Sequence, residues 1–272
     1  MIKVGIIGYG NMGSAIGERI KYKYAVCAFD KNKNIASENI TVANNPRELV
    51  GQSKIIILAV KPQDYDLLLN EIKLCIKDKL VISIAAGITT GYIETVLGEV
   101  KVVRVMPNIA VRIAEGETSM CKGRYAKEKD LFFVKEIFNI LGKVWELKEE
   151  MIDAVTAISG SGPAYIFYDM EIENIDPLKV SKDLENEYIR RLKEAGIKMG
   201  LTPDFAFDLA TSTTASSISL AVQGGNSLTQ LRKMVTSPGG TTEAALKVII
   251  NGGSWSEAAL AAKKRAQELS KK

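Results

Sequence analysis

Residues 2–7 (IKVGII) form a short, nearly continuous apolar run, and SAIGERI (14–20) soon after it repeats its apolar positions at helical spacing. Similar runs recur at YAVCAFD (24–30), KIIILAV (54–60), KLVISIA (79–85) and KVVRVM (101–106), separated by helical patterns such as 64–76 and 90–97. Strands apolar on both faces, alternating with helices, predict a doubly wound, mostly parallel sheet. After Trp145 the strand pattern stops, and Met151-Ile152-Asp153-Ala154-Val155 opens a helical region. That region holds a long helical pattern over 203–223, a turn at GGN (224–226) and a last helix from Ser254. The expected architecture is an α/β domain over 1–150 followed by an all-α domain over 151–272. At 272 residues the chain is long enough for two domains of roughly 150 residues each.

The turn after the first run reads Gly8-Tyr9-Gly10-Asn11-Met12-Gly13. Between a strand and a helix, Gly8 permits the tight turn, Gly10 lets backbone approach a pyrophosphate, and Gly13 allows close packing of helix on strand. The second run ends at Asp30, about 20 residues downstream, where the Rossmann dinucleotide fingerprint expects an acid. Asp30 can accept hydrogen bonds from an adenosine ribose, which favours NAD(H), whereas Lys31 and Lys33 can hold a 2′-phosphate, which favours NADP(H). Both cofactors stay open. Ligands of such sheets lie outside the carboxyl ends of the strands. Ala59-Val60-Lys61-Pro62 and Met106-Pro107-Asn108 fall there, as pocket residues or as plain strand terminators. Asn44 and Asn45, in ANNP, are either ordinary turn residues or reach the adenosine side.

Two stretches of the second half carry small and hydroxyl-bearing residues. SGSGPAY (159–165) interrupts and restarts a helix, as a packing kink or as a pocket wall containing Ser161. VTSPGGTTEAAL (235–246) leads through glycines into a helix start, where outward N–H groups and the positive dipole end favour an anion. Ser237, Gly239, Gly240, Thr241 and Thr242 would cradle a carboxylate or phosphate; alternatively Thr241 or Thr242 only caps the helix.

Charge and rare residues narrow the field. Lys+Arg 36 against Asp+Glu 32 leaves a net charge of +4 with no basic block, which argues against nucleic acid. The opening apolar run is too short for a secretory signal and no stretch approaches the roughly 20 apolar residues of a membrane span, so a cytoplasmic location is expected. Cys27, Cys75 and Cys121 lie far apart without a CxxC, as reduced structural thiols would. The chain has no histidine, so a metal site is not expected and any chemistry works without imidazole.

GYGNMG, LAVKPQ, VMPN, SGSGPAY, KMGL and VTSPGGTT, in this order across nearly the whole chain, resemble pyrroline-5-carboxylate reductase, the enzyme that completes proline synthesis. The resemblance implies a Rossmann domain followed by a helical dimerisation domain that interlocks with its twin, often in larger assemblies. It implies that Ser237, Gly239, Gly240 and Thr241 grip the substrate carboxylate and that Thr242 sits near the ring nitrogen, with Ser161 also on the substrate side. Hydride would pass from NAD(P)H to the C=N carbon of a cyclic imine, a reaction that needs position and charge more than a strong acid. Arg232 and Lys233 are either carboxylate partners or solvated helix residues. Hydroxyacid dehydrogenases of similar layout use a helix lysine, which SGSGPAY lacks.

One segment departs from the family. Where the resemblance implies one continuous helix, about 19 additional residues (169–187) intervene, with Pro177 incompatible with an unbroken helix. The expectation is a solvent-facing excursion turning at Asp176-Pro177, with Ser181 capping a new helix over 182–198 and Met170, Ile172, Ile175, Leu178, Val180 and Leu184 packed against the domain. Such an excursion would leave a homodimer possible while blocking larger assembly, and it sets up a rival reading: a dinucleotide-binding protein of this fold with little turnover.

Overall fold

The computed structural model describes residues 2–32 and 34–270. It divides into two compact units: residues 1–105 with 120–149, and residues 106–119 with 150–272.

The apolar runs of the first half form strands β1 (Lys3–Ile7), β2 (Ala25–Phe29), β4 (Ile55–Leu58), β5 (Leu80–Ser83) and β6 (Lys101–Pro107). Three more strands complete the sheet, β3 (Ile40–Val42), β7 (Gly116–Lys122) and β8 (Gly142–Glu146), in the order β3-β2-β1-β4-β5-β6-β7-β8. Pairing is parallel from β3 through β6. β7 runs the other way beside β6, as the bonds Asn108 N–H to Glu117 O and Gly123 N–H to Val102 O require. The chain order reverses at β1 and β4, the crevice position where such sheets take ligands.

Helices α1 (Asn11–Ile20), α2 (Pro46–Gln52), α3 (Tyr65–Ile72), α4 (Thr90–Leu97) and α5 (Glu128–Phe138) belong to the first unit. The β4 and β5 side chains are buried throughout and pack with Leu49, Tyr65, Leu69, Ile72 and Ile93 into one core. The pattern over 64–76 overran its helix: Pro62–Asp64 is a 3₁₀ turn, α3 ends at Ile72, and Leu74 is exposed.

The second unit is built on α6 (Glu149–Val155), α7 (Gly162–Ile172), α8 (Lys182–Lys198), α9 (Pro203–Gln223), α10 (Leu228–Val235), α11 (Thr241–Ile250) and α12 (Trp255–Leu269). Trp255 of α12 stacks on Tyr188 of α8 at 5.6 Å between centroids and meets Tyr165 of α7 at 5.8 Å. That aromatic cluster ties three helices together.

The helix does break within 169–187. α7 ends at Ile172, Asn174 takes a left-handed turn, Pro177–Lys179 forms a 3₁₀ turn, and the Ser181 hydroxyl caps α8 by accepting the Leu184 N–H at 3.2 Å. Two parts of the expectation need correction. Ile172 and Leu178 face solvent instead of packing back. Asp169 and Glu171, at the start of the segment expected to face solvent, are engaged by neighbouring helices: Asp169 accepts from Tyr188 Oη at 2.9 Å and Arg191 at 3.1 Å, and Glu171 accepts from Thr229 at 2.6 Å and Arg232 at 2.7 Å. The break is thus fastened to α8 and α10 by carboxylates whose spacing in sequence gave no hint of their partners.

Candidate functional site

In the first unit the glycine turn sits between β1 and α1. Gly8 has φ +96°, in the region that favours glycine, and an added Cβ would lie 2.7 Å from the Ala59 backbone of β4's carboxyl end. A Cβ on Gly13 would overlap the Gly8 carbonyl oxygen, so α1 can approach β1 this closely only without one. Gly10 differs: an added Cβ would meet nothing within 4 Å, and as the α1 N-cap it offers no side-chain hydrogen bond. The helix start therefore has open space at Gly10, with Asn11 exposed and Met12 half-buried in its first turn. An uncapped N-terminus beside an open glycine suits a dinucleotide pyrophosphate, so the residues present fit the cofactor.

Asp30, just past β2, is held in place rather than loose. Its Oδ2 accepts the Tyr9 N–H at 2.7 Å and its Oδ1 accepts the Asn32 N–H at 2.8 Å, which links the acid directly to the glycine turn. Lys31 pairs with Asp64 at 2.8 Å, while Lys33 lies outside the described residues. Ala59 and Val60 are half-buried after β4, and exposed Lys61 precedes the turn that Pro62 begins. Asn45 caps α2, its Oδ1 accepting the Glu48 N–H at 2.9 Å, and Asn44 bonds the Glu48 carboxylate, so both do the work of turn residues.

Met106, Pro107 and Asn108 group with the second unit. Asn108 is 1% exposed; its Oδ1 accepts from Ala110 N–H and Glu117 N–H, while its Nδ2 is buried without a hydrogen-bond partner among the described residues. An amide donor kept dry and unsatisfied is costly unless a ligand completes it.

A second cluster lies wholly within the second unit. Residues Thr156–Gly160 form a π-helical turn, closed by Ser161 N–H to Thr156 O at 2.9 Å, where the sequence offered a packing kink or a pocket wall containing Ser161. Such a turn carries one extra residue and re-aims the side chain that follows it. That side chain is Ser161, fully buried, whose Oγ lies 3.0 Å from Thr242 Oγ1 and 3.5 Å from Thr241 Oγ1. Eighty residues apart in sequence, SGSGPAY and SPGGTT meet through three hydroxyls at the start of α11.

The Gly-rich approach to α11 is clamped from outside. Gly240 is the N-cap with no side-chain cap, and its own N–H turns back to the Ser237 carbonyl at 2.9 Å. Ser237 is exposed. Gly239 has φ +70°; its carbonyl accepts from Arg265 Nε at 2.8 Å and its N–H donates to Glu243 Oε2 at 3.1 Å. Sequence reading missed both clamps. Glu243 carries a recoverable signal, an acid in the first turn after the cap; Arg265, on α12, carries none. Arg232 is engaged with Glu171, whose carboxyl that guanidinium holds below the usual range, so the arginine serves the α7–α10 contact.

Comparison with known proteins follows the same division. Residues 186–269 match the family model for pyrroline-5-carboxylate reductase dimerisation, and residues 3–87 match that for NADP oxidoreductase, coenzyme F420-dependent. A pyrroline-5-carboxylate reductase of Pisum sativum is 32% identical over 280 residues, covering 98% of this chain and 96% of its own. One of Methanosarcina acetivorans is 34% identical over 286 residues, covering 99% and 98%. Among solved structures, the Plasmodium falciparum pyrroline carboxylate reductase with NADP bound superposes with a TM-score of 0.66 at 29% identity, covering 99% of this chain and 98% of that one.

Proposed function

Because this chain belongs to the pyrroline-5-carboxylate reductase family, we propose a division of its reaction between the bare glycine turn of the first unit and the hydroxyl cluster of the second. The reaction is reduction of 1-pyrroline-5-carboxylate to L-proline, the last step of proline biosynthesis. NAD(P)H supplies the hydride when bound. The non-catalytic reading is not favoured, since relatives of this name align with the chain over almost its full length.

The α1 N-terminus takes the pyrophosphate on the N–H groups that follow Gly10, and Asp30, steadied by Tyr9 N–H and Asn32 N–H, faces the ribose. Ala59 to Pro62 line the cofactor's path beyond β4, and Asn108 offers its unsatisfied Nδ2. The substrate carboxylate is held at the uncapped start of α11 by Ser237, Gly239, Gly240 and Thr241, where N–H groups and the helix dipole neutralise it. Thr242 orients the ring nitrogen or a water beside it, and Ser161 fixes the Thr242 hydroxyl at 3.0 Å. A protonated imine is already electrophilic, so hydroxyls that position it suffice where no histidine exists.

The observation that carries this reading is the Ser161–Thr242–Thr241 contact, which brings three buried hydroxyls to an uncapped helix start. The decisive experiment is cofactor oxidation with 1-pyrroline-5-carboxylate, using NADH and NADPH in parallel. Turnover with Thr242→Val equal to the parent's would remove the cluster from the mechanism.

A homodimer follows from the dimerisation-family match and from Ile197, Phe207, Val222, Ile250 and Leu260, all large, apolar and exposed on the single chain within or beside the matched region. The segment over 169–187 limits assembly beyond that dimer. No described helix is long and apolar enough to cross a membrane.

A further inference from the structure

The N–H of Gly239 already holds a carboxylate, and that carboxylate belongs to the protein itself. Glu243 Oε2 accepts it at 3.1 Å from the first turn of α11, while Arg265 grips the Gly239 carbonyl at 2.8 Å from α12. Gly239, in its left-handed conformation, is thus fastened at both backbone polar atoms by ionised side chains. Gly240 N–H is satisfied by the Ser237 carbonyl, so of these two loop donors Gly239 is the one given to an anion.

We propose that the Glu243 carboxylate is a placeholder for the substrate carboxylate on the Gly-rich loop, and that by competing for the same donors it sets how tightly the enzyme holds carboxylated imines. The proposal rests on the reading of Ser237, Gly239, Gly240 and Thr241 as the carboxylate cradle. Two carboxylates cannot share one N–H and one dipole end without repelling each other, so substrate entry requires Glu243 to leave. Lys247 Nζ, one turn along α11, already lies 3.6 Å from the same Glu243 Oε2 and retains the carboxylate once it leaves the Gly239 N–H. Arg265 stays on the Gly239 carbonyl during the exchange, because its contact is to the following peptide unit and its second anchor, Glu268 at 2.9 Å, is on its own helix. Glu243 is therefore a positioning residue: it acts on the loop, through Gly239, and not on the reacting atoms.

The test measures KM and kcat for 1-pyrroline-5-carboxylate and for 1-pyrroline, which has the ring imine and no carboxylate. Glu243→Gln removes the charge and keeps an acceptor; Glu243→Ala removes both. Both variants are expected to lower KM for the carboxylated imine by about fivefold or more, as relief of a like-charge contact should, with kcat changed much less. KM for 1-pyrroline should not move, and Lys247→Ala should raise KM for the carboxylated imine alone. Thermal unfolding of each variant separates these effects from loss of a first-turn acid, which a purely structural role would register without the split between substrates. An unchanged or raised KM in Glu243→Gln, or an equal fall for both imines, overturns the proposal. The parent enzyme distinguishes the two levels: if its KM is lower for 1-pyrroline-5-carboxylate than for 1-pyrroline while Glu243→Gln does nothing, only the placeholder fails; if its KM is the same for both imines, the cradle reading and the placeholder fail together.

Discussion

Replacing Thr242 by valine keeps the shape of a side chain that is 5% exposed and removes one hydroxyl, so no cavity opens and what changes is hydrogen bonding. The Ser161 hydroxyl, with no exposure, loses its 3.0 Å partner and keeps the 3.5 Å approach to Thr241 and its contact with the Tyr165 hydroxyl. A buried neutral hydrogen bond contributes about 1 kcal/mol, so the variant should remain folded with a modestly lower Tm. If Thr242 orients the ring nitrogen, kcat/KM falls by about tenfold or more, equivalent to about 1.4 kcal/mol of transition-state stabilisation. Ser161→Ala tests the next link. Acting only through Thr242, it should slow the parent enzyme but add nothing in the Thr242→Val background, so that the coupling energy equals the whole effect of the single change. The assay is steady-state oxidation of NADPH or NADH with 1-pyrroline-5-carboxylate, accompanied by thermal unfolding. A Thr242→Val enzyme whose kcat/KM stays within about twofold of the parent's would refute the role. Additive losses in the double variant would show that Ser161 acts independently.

Gly10→Ala should fold with unchanged Tm, because its Cβ meets nothing within 4 Å, yet weaken dinucleotide binding by calorimetry; Gly13→Ala should instead lose stability, because its Cβ collides with the Gly8 carbonyl. Equal Tm for both would contradict the assigned glycine roles. Glu187, bonded by Arg190 and Arg191, has its carboxyl held down at about 2, so its contribution is intact above the usual glutamate pKa of about 4.3 and is lost as pH falls through that window toward 2. Glu187→Gln should accordingly flatten the acid limb of Tm against pH and leave neutral-pH activity unchanged. Phe207→Asp with Leu260→Asp places charge on exposed apolar helix positions and should convert a dimer to a monomer in light scattering; a parent chain already monomeric would end the dimer proposal.

The alternation of fully apolar runs with helical spacing was enough to specify the α/β half, because buried parallel strands need apolar residues on both faces and the β1–β4–β5 core supplies little else. β3 and β7 escaped for the opposite reason. β3 has three residues at the sheet edge, two of them exposed, and β7 buries Glu117, Thr118 and Ser119, which no apolar pattern reveals. Glycine spacing announced the dinucleotide turn, since only local backbone geometry is involved; that Asp30 would brace that turn through Tyr9 N–H required the two strand ends to be adjacent. In the helical half, sequence alone located the helix break at Pro177, the Ser181 cap and the two small-residue motifs, all of which depend on neighbours a few residues away. Tertiary structure alone decided that Ser161 touches Thr242, that Asp169 fastens the break to Tyr188 and Arg191, and that Glu243 and Arg265 hold Gly239 from its two sides. Propensity and capping act over one helical turn, whereas a hydrogen bond between residues 80 apart exists only once hydrophobic burial has packed their helices together.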